Sequence, residues 1–180
     1  MDASVAAVLG AAIGSVGGLG GAWLSVLGQG RQQRHQREAE RERWRDEMRR
    51  ETYNACIAGG KQLSAALWKF SDSAWDEHST PEDWRAAFVD AHDAWTQFST
   101  AAAAVTIAGP KAVADAADTL RRAMYDLDME ALRWFEAALR EGNGRLSAHG
   151  EQFDRAAEAK RAPDRAFQYA ARVALGTELP

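Results

Sequence analysis

The first thirty residues constrain the fold of this chain more than any other part of its sequence. No charged side chain occurs from Ala3 to Gly30, and a dense arginine run opens at Arg31. A helix needs about 20 consecutive apolar residues to cross a bilayer, and Ser4–Leu27 is longer than that. The pattern predicts a transmembrane anchor over residues 1–30.

The flanks of this stretch predict its topology. No Lys or Arg precedes the apolar core, as a cleavable signal peptide would require, so we expect the anchor to be retained. Arg31, Arg34 and Arg37 follow the core, and such basic flanks stay on the cytoplasmic side. The sequence therefore predicts a single-pass plasma-membrane protein with its N-terminus outside and its C-terminal domain in the cytoplasm.

The same three arginines are predicted to contact anionic lipid headgroups. An ordinary stop-transfer flank is the alternative reading of these charges. A second alternative concerns the whole stretch, because its glycines weaken helix propensity and add little apolar surface. In that reading the first helix is buried in protein and does not cross a membrane.

One face of the predicted anchor carries almost no side chains. Gly10, Gly14 and Gly18 recur at every fourth residue, and Ala22 extends the stripe. Small residues at this spacing let two membrane helices approach closely, so the stripe predicts a packing face and a homo-oligomer. Small residues are also common in membrane helices that pair with nothing, which is the alternative.

Charge is distributed unevenly beyond the anchor. Residues 31–55 hold eight arginines against six acidic residues, whereas residues 56–180 hold 14 basic against 19 acidic residues. A nucleic-acid-binding body would be basic, so no nucleic-acid partner is predicted. Cys56 is the only cysteine, which excludes an intramolecular disulfide and a cysteine-rich zinc site.

The remaining sequence is predicted to be helical throughout. Residues 31–52 lack Gly and Pro and are predicted to continue the membrane helix as a basic juxtamembrane stalk. Residues 53–180 are predicted to form a cytoplasmic helical bundle. The predicted fold is all-α: a Gly-rich transmembrane helix that runs into a long stalk helix, then an antiparallel bundle of about four helices.

Local patterns place the helices of this bundle. The first carries an apolar face from Met48 through Phe70, and a connector is expected over 71–80. Thr80-Pro81-Glu82-Asp83 predicts the start of the second helix, since it combines a capping hydroxyl, a first-turn proline and two acids. Its expected core residues are Trp84, Phe88, Ala91, Trp95, Phe98, Ala102 and Val105.

A turn is expected over Val105–Gly109, and Pro110 is predicted to begin the third helix, which Gly142 ends. A fourth helix is expected from Arg145 to about Arg161, and Pro163 is expected to separate it from a short last helix. The inward residues expected on the third helix are Val113, Ala117, Leu120, Met124, Leu127, Ala131, Phe135 and Leu139.

No motif in the sequence carries recognisable chemistry. The chain has four histidines but no Glu-x-x-His pair, so a di-iron bundle is excluded. Phosphate-binding loops, zinc-protease motifs and nucleophile elbows are also missing from the sequence. Cys56 lies on the apolar face of its helix and is expected to be a buried small hydrophobe. We therefore expect no catalytic residues, no metal site, no cofactor and no enzymatic activity.

Several short motifs, taken with the glycine-rich span, resemble a group of proteins. The resemblance is to small uncharacterised single-pass membrane-anchored helical proteins of high-GC Gram-positive bacteria. It implies a membrane topology and a helical cytoplasmic domain, and it supplies no site residues. The motifs are Glu42-Arg43-Trp44-Arg45, Arg49-Arg50-Glu51-x-Tyr53, Val105-x-x-x-Gly109-Pro110 and Phe167-x-x-Ala170-Ala171-Arg172-x-Ala174-Leu175.

The leading functional prediction is a non-enzymatic, membrane-tethered interaction or scaffold module. It would self-associate through its transmembrane helix and bind a cytoplasmic protein partner. One alternative is an oligomerising membrane effector of a toxin or phage-defence kind, with the bundle as its sensor. The other alternative is a helical bundle that binds a small ligand or a metal.

Overall fold

The computed structural model describes the backbone of residues 3–178 and the side chains of residues 37, 38 and 40–178. Within this range the chain is all-α, which confirms the predicted fold class, and contains no strand. The structure divides the chain into two compact units, Met1–Arg45 and Asp46–Pro180. Five helices follow one another: α1 (Ala3–Trp75), α2 (Pro81–Ala108), α3 (Lys111–Glu141), α4 (Ser147–Ala159) and α5 (Arg161–Ala174).

Helix α1 runs further than the sequence predicts. The connector expected over 71–80 is wrong in its first half, because α1 continues to Trp75. Contacts from α2 explain the difference, since Ser71 is buried and the Trp84 Nε1–H donates to the Ser73 carbonyl at 3.2 Å. The polar sequence of this turn is typical of a loop, and the tertiary contacts override it. Met48, expected on the apolar face, is instead exposed.

Helix α2 begins where its capping residues predict. Thr80 is the N-cap, and its hydroxyl accepts from the Asp83 backbone N–H while the Asp83 carboxylate accepts from the Thr80 N–H at 2.8 Å. These hydrogen bonds form a capping box and lower the pKa of Asp83. The helix ends later than expected: the turn predicted over Val105–Gly109 is helical through Ala108, and only Gly109 is extended.

Helix α3 has the expected ends. Pro110 precedes its first turn, and Gly142 adopts the left-handed conformation with φ 64° that closes its last turn. The core face differs from the prediction near its end. Phe135 is only partly buried and stacks on Phe88 at 4.6 Å, whereas Trp134 is fully buried.

Helices α4 and α5 meet at Lys160, three residues before the predicted break at Pro163. Pro163 lies inside the first turn of α5, where a missing backbone N–H leaves no helix hydrogen bond unmade. Phe153 of α4 and Phe167 of α5 are fully buried.

Within the bundle, residues 46–178, α1 and α2 run in opposite directions. Early in α1, Arg49 Nε donates to the carbonyl of Ala108 near the end of α2, at 3.2 Å. At mid-length, a Cβ on Gly59 would lie 3.2 Å from the Phe98 Cα, so the α1 and α2 backbones approach closely there. The residues that form the core come from all five helices, which supports a helical bundle.

Among the side chains that the structure describes, Asp128 of α3 is the one buried carboxylate. It is 7% exposed, and its Oδ1 has no hydrogen-bond partner in the protein. Burial raises the pKa of Asp128, and nearby His92 opposes the shift. A buried charge without hydrogen bonds destabilises the folded state.

The variant Asp128→Asn is therefore expected to raise the free energy of unfolding by about 1 kcal/mol near neutral pH. The pKa of Asp128 is higher in the folded protein than the value of 3.8 expected in the unfolded protein. The stability that this carboxyl contributes is therefore fully present below pH 3.8 and is lost as the pH rises through the pKa of the folded protein. The gain should consequently shrink towards zero in acid. Urea unfolding of both proteins near neutral pH and at about pH 3 measures it. An equal gain at both pH values would contradict this account.

Candidate interaction surface

The residues predicted to pack in a membrane lie outside the part of the structure whose side chains are described. This holds for Gly10, Gly14, Gly18 and Ala22, and for Arg31 and Arg34. Arg37 is described and is exposed. No helix was found long and apolar enough to cross a membrane among the residues whose side chains the structure describes, and the side chains of the predicted span Ser4–Leu27 are not among them. The anchor, its packing face and its headgroup contacts stay predictions.

A shallow apolar groove lies between the start of α3 and the end of α5. Its volume is about 290 Å³, and its lining is almost free of polar atoms. Val113 forms the buried floor, and Tyr169, 48% exposed, stands on one wall. The other residues that line it are Pro110, Ala112, Ala170, Val173 and Ala174. Apolar surface of this kind is a common feature of protein-binding sites.

An exposed aliphatic side chain lies close in sequence to one of the residues that line the groove. Ile107, on the last turn of α2 and three residues before Pro110, is 88% exposed. Nothing in residues 46–178 covers this side chain. A large aliphatic side chain left this open adds apolar area to the same loop region.

Two arginines lie on the same face of α5 as Tyr169, although neither lines the groove itself. Arg165, Tyr169 and Arg172 follow one another at spacings of four and three residues, which places them on one exposed face. Arg172 Nε lies 3.1 Å from the Glu178 carboxylate. Arg165 has no carboxylate within 4.0 Å among the described side chains. The face of α5 that carries Tyr169 therefore retains one uncompensated positive charge.

The sequence reasoning missed this surface. The residues predicted to mark the last helix are Phe167, Ala170, Ala171 and Ala174, of which Phe167 and Ala171 are indeed buried. Tyr169 lies two residues from both of them, on the opposite side of a helix. A large aromatic residue off the core stripe is the feature that could have identified the groove.

Four tryptophans of the bundle divide into two groups. Trp84 is buried and Trp95 is partly buried. Trp68 and Trp75 are 41% and 44% exposed, although each also packs on an inner aromatic ring: Trp68 on Phe153, and Trp75 on Trp134.

Cys56 and the histidines form no reactive centre in the described region. Cys56 is fully buried, and burial raises the pKa of its thiol to about 12, so the thiolate needed for nucleophilic attack does not form near neutral pH. This confirms the expected buried hydrophobe. His78 and His92 are exposed, and the described residues include no group of three His, Cys, Asp or Glu that could hold a metal ion.

Comparison with known proteins identifies no family for this chain. The suspected resemblance to single-pass proteins of high-GC Gram-positive bacteria stays a prediction. No family model, curated protein or solved structure matches the chain.

Proposed function

We propose that this protein is a non-enzymatic interaction module tethered to the plasma membrane. Residues 1–30 anchor it with the N-terminus outside, and the helical bundle lies in the cytoplasm. The anchor self-associates through the stripe of Gly10, Gly14, Gly18 and Ala22. The uncharged opening stretch and its arginine flank support the anchor.

The single observation that carries the interaction role is the apolar groove between α3 and α5. The partner that fits it is an amphipathic helix of another cytoplasmic protein. Its apolar face would fill the groove beside Tyr169 and Val173, and acidic residues along its edge would face Arg165. Charge complementarity selects an acidic helix over a basic one.

A photocrosslinking amino acid placed at Val173 in cells that express the full chain tests the groove. The matched control position is Gln97, an exposed residue of α2. We expect a crosslinked protein at Val173 and none at Gln97, with the crosslink mapped by mass spectrometry to a segment that alternates apolar and acidic residues at helical spacing. Arg165→Glu should sharply reduce the yield because it places like charges on this face of α5.

Two results would overturn the assignment of this partner. Equal crosslinking at Val173 and Gln97 would show that the groove is not selective. A crosslink that joins two copies of this chain would make the groove a self-association surface instead.

The membrane anchor is tested separately by membrane fractionation and by a reporter of transmembrane-helix association. Gly14→Leu fills the glycine stripe, whereas Ala12→Leu adds the same side chain about 160° away on the helix. We expect the chain to require detergent for extraction and Gly14→Leu alone to abolish association. Recovery of the full chain without detergent would disprove the anchor, and equal effects of the two variants would disprove the packing face.

A further inference from the structure

A second cavity, in the side of the bundle, has a different chemistry from the groove. It lies between α1, α3 and α5 and has a volume of about 150 Å³. Cys56 and Met124, both fully or nearly fully buried, form apolar walls together with Ile57. Lys61, Ser64, Lys160 and Asp164 also line it. The cavity thus combines an apolar interior with a small number of convergent polar groups, which is typical of a small-molecule site.

The distribution of lysines points to an anion. The chain has only four lysines, and all four are described. Lys69 pairs with Asp90 and Lys111 pairs with Asp115. The other two, Lys61 and Lys160, have no carboxylate within 4.0 Å in the described part of the chain, and both line this cavity.

Lys160 is held in place by a neutral partner. Its Nζ donates to the Ser64 hydroxyl oxygen at 2.8 Å, and that hydroxyl donates to the Gly60 carbonyl at 2.8 Å. The ammonium group therefore has donors to spare and no carboxylate within 4.0 Å among the described side chains. Its position at the junction of α4 and α5 fixes the base of the side chain.

The charge of the cavity selects the ligand class. Asp164 is the one acidic lining residue, and its Oδ1 accepts a hydrogen bond from Gln168 Nε2 at 2.9 Å. Two lysines and one aspartate leave a single net positive charge. A monocarboxylate neutralises that charge, whereas a phosphate dianion would leave an excess negative charge beside Asp164.

We propose that this cavity binds a small monocarboxylate with a short alkyl chain. The carboxylate lies between Lys61 and Lys160, and the alkyl chain contacts Ile57 and Met124. The site lies wholly within the bundle and is independent of the anchor and of the groove.

The test is a titration of the full chain, in non-ionic detergent, with butyrate while the methyl resonances of its methionines are followed by NMR. Met124 lines the cavity, and Met48 does not, so the two provide a probe and an internal reference in one spectrum. We expect a saturable shift of the Met124 methyl alone. Butanol at equal concentrations should produce no saturable shift, because it lacks the charge.

Substitutions test whether the two cavity lysines bind the carboxylate. Lys160→Gln and Lys61→Gln should each weaken butyrate binding by about tenfold, the loss expected for one charge-assisted contact. Lys111→Gln removes a lysine outside the cavity and should leave the affinity unchanged. The proposal is overturned if Met124 shows no saturable shift, if butanol matches butyrate, or if all three variants bind alike. Tighter binding of methyl phosphate than of butyrate would overturn the choice of a carboxylate.

Discussion

Replacing Trp134 by Ala is expected to lower the free energy of unfolding by about 4 kcal/mol. The indole is fully buried and lies edge-on to three other rings, those of Phe70, Trp75 and Phe153, at centroid distances of 5.7 to 5.9 Å. Its Nε1–H also donates to the Gly144 carbonyl at 2.8 Å. The truncation leaves a cavity and removes one of the two hydrogen bonds to the Gly144 carbonyl, which keeps the Leu146 N–H as a donor at 2.8 Å. Most of the expected cost therefore comes from the cavity.

Urea unfolding of the full chain, followed by near-ultraviolet circular dichroism, measures this loss. Trp134→Phe keeps an aromatic ring and removes the donor, so it should cost less than the alanine variant. Trp44→Ala is the matched control, since Trp44 is 64% exposed and its loss should change stability by less than about 0.5 kcal/mol. A loss at Trp134 no larger than that at Trp44 would show that the indole is not at the centre of the core.

Gly144→Ala is expected to lower the free energy of unfolding by about 3 kcal/mol, because the added methyl group meets backbone. A Cβ at this position would collide with the Ala74 carbonyl oxygen and lie 3.0 Å from the Ala74 Cα. Neither atom can rotate away as the end of a side chain would. The turn also cannot easily move away from Ala74 to relieve the collision. Arg145 Nε donates to the Trp75 carbonyl at 3.1 Å and holds the turn against the end of α1.

Gly142→Ala is the matched control in the same turn. Gly142 has φ 64°, and a methyl group added there would meet no atom within 4 Å, so the substitution carries only the cost of a left-handed backbone, about 1 kcal/mol. Thermal unfolding of the two variants separates steric collision from backbone strain. A Gly142 variant less stable than the Gly144 variant would mean that the close approach to Ala74 is unimportant.

Local chemistry predicted the helix ends that depend on single residues. The capping box at Thr80 and the left-handed glycine at Gly142 both function through neighbouring atoms, so they can be recognised in the sequence alone. The end of α1 could not be predicted in this way. It depends on the contact between Trp84 and the Ser73 carbonyl, which joins residues from two different helices.

Helical periodicity predicted which face of each helix enters the core, but it did not decide which of two adjacent residues is buried. Trp134 and Phe135 are adjacent, and both are large and aromatic, so a single stripe accommodates either one. Packing decides the matter: Trp134 finds an acceptor for its N–H, whereas Phe135 stacks at the edge on Phe88. The groove and the carboxylate cavity were beyond prediction for a related reason, since each combines residues from helices far apart in the chain.

The first and last helices of the bundle touch, and this has a consequence for synthesis. Tyr53 of α1 packs edge-on against Phe167 of α5, and Lys160 reaches back across 96 residues to Ser64. The part of the apolar side of α1 that Phe167 covers near Tyr53 therefore stays exposed on the ribosome until α5 has emerged. Chains that stop short of α5 expose that side permanently, which makes them candidates for aggregation and proteolysis.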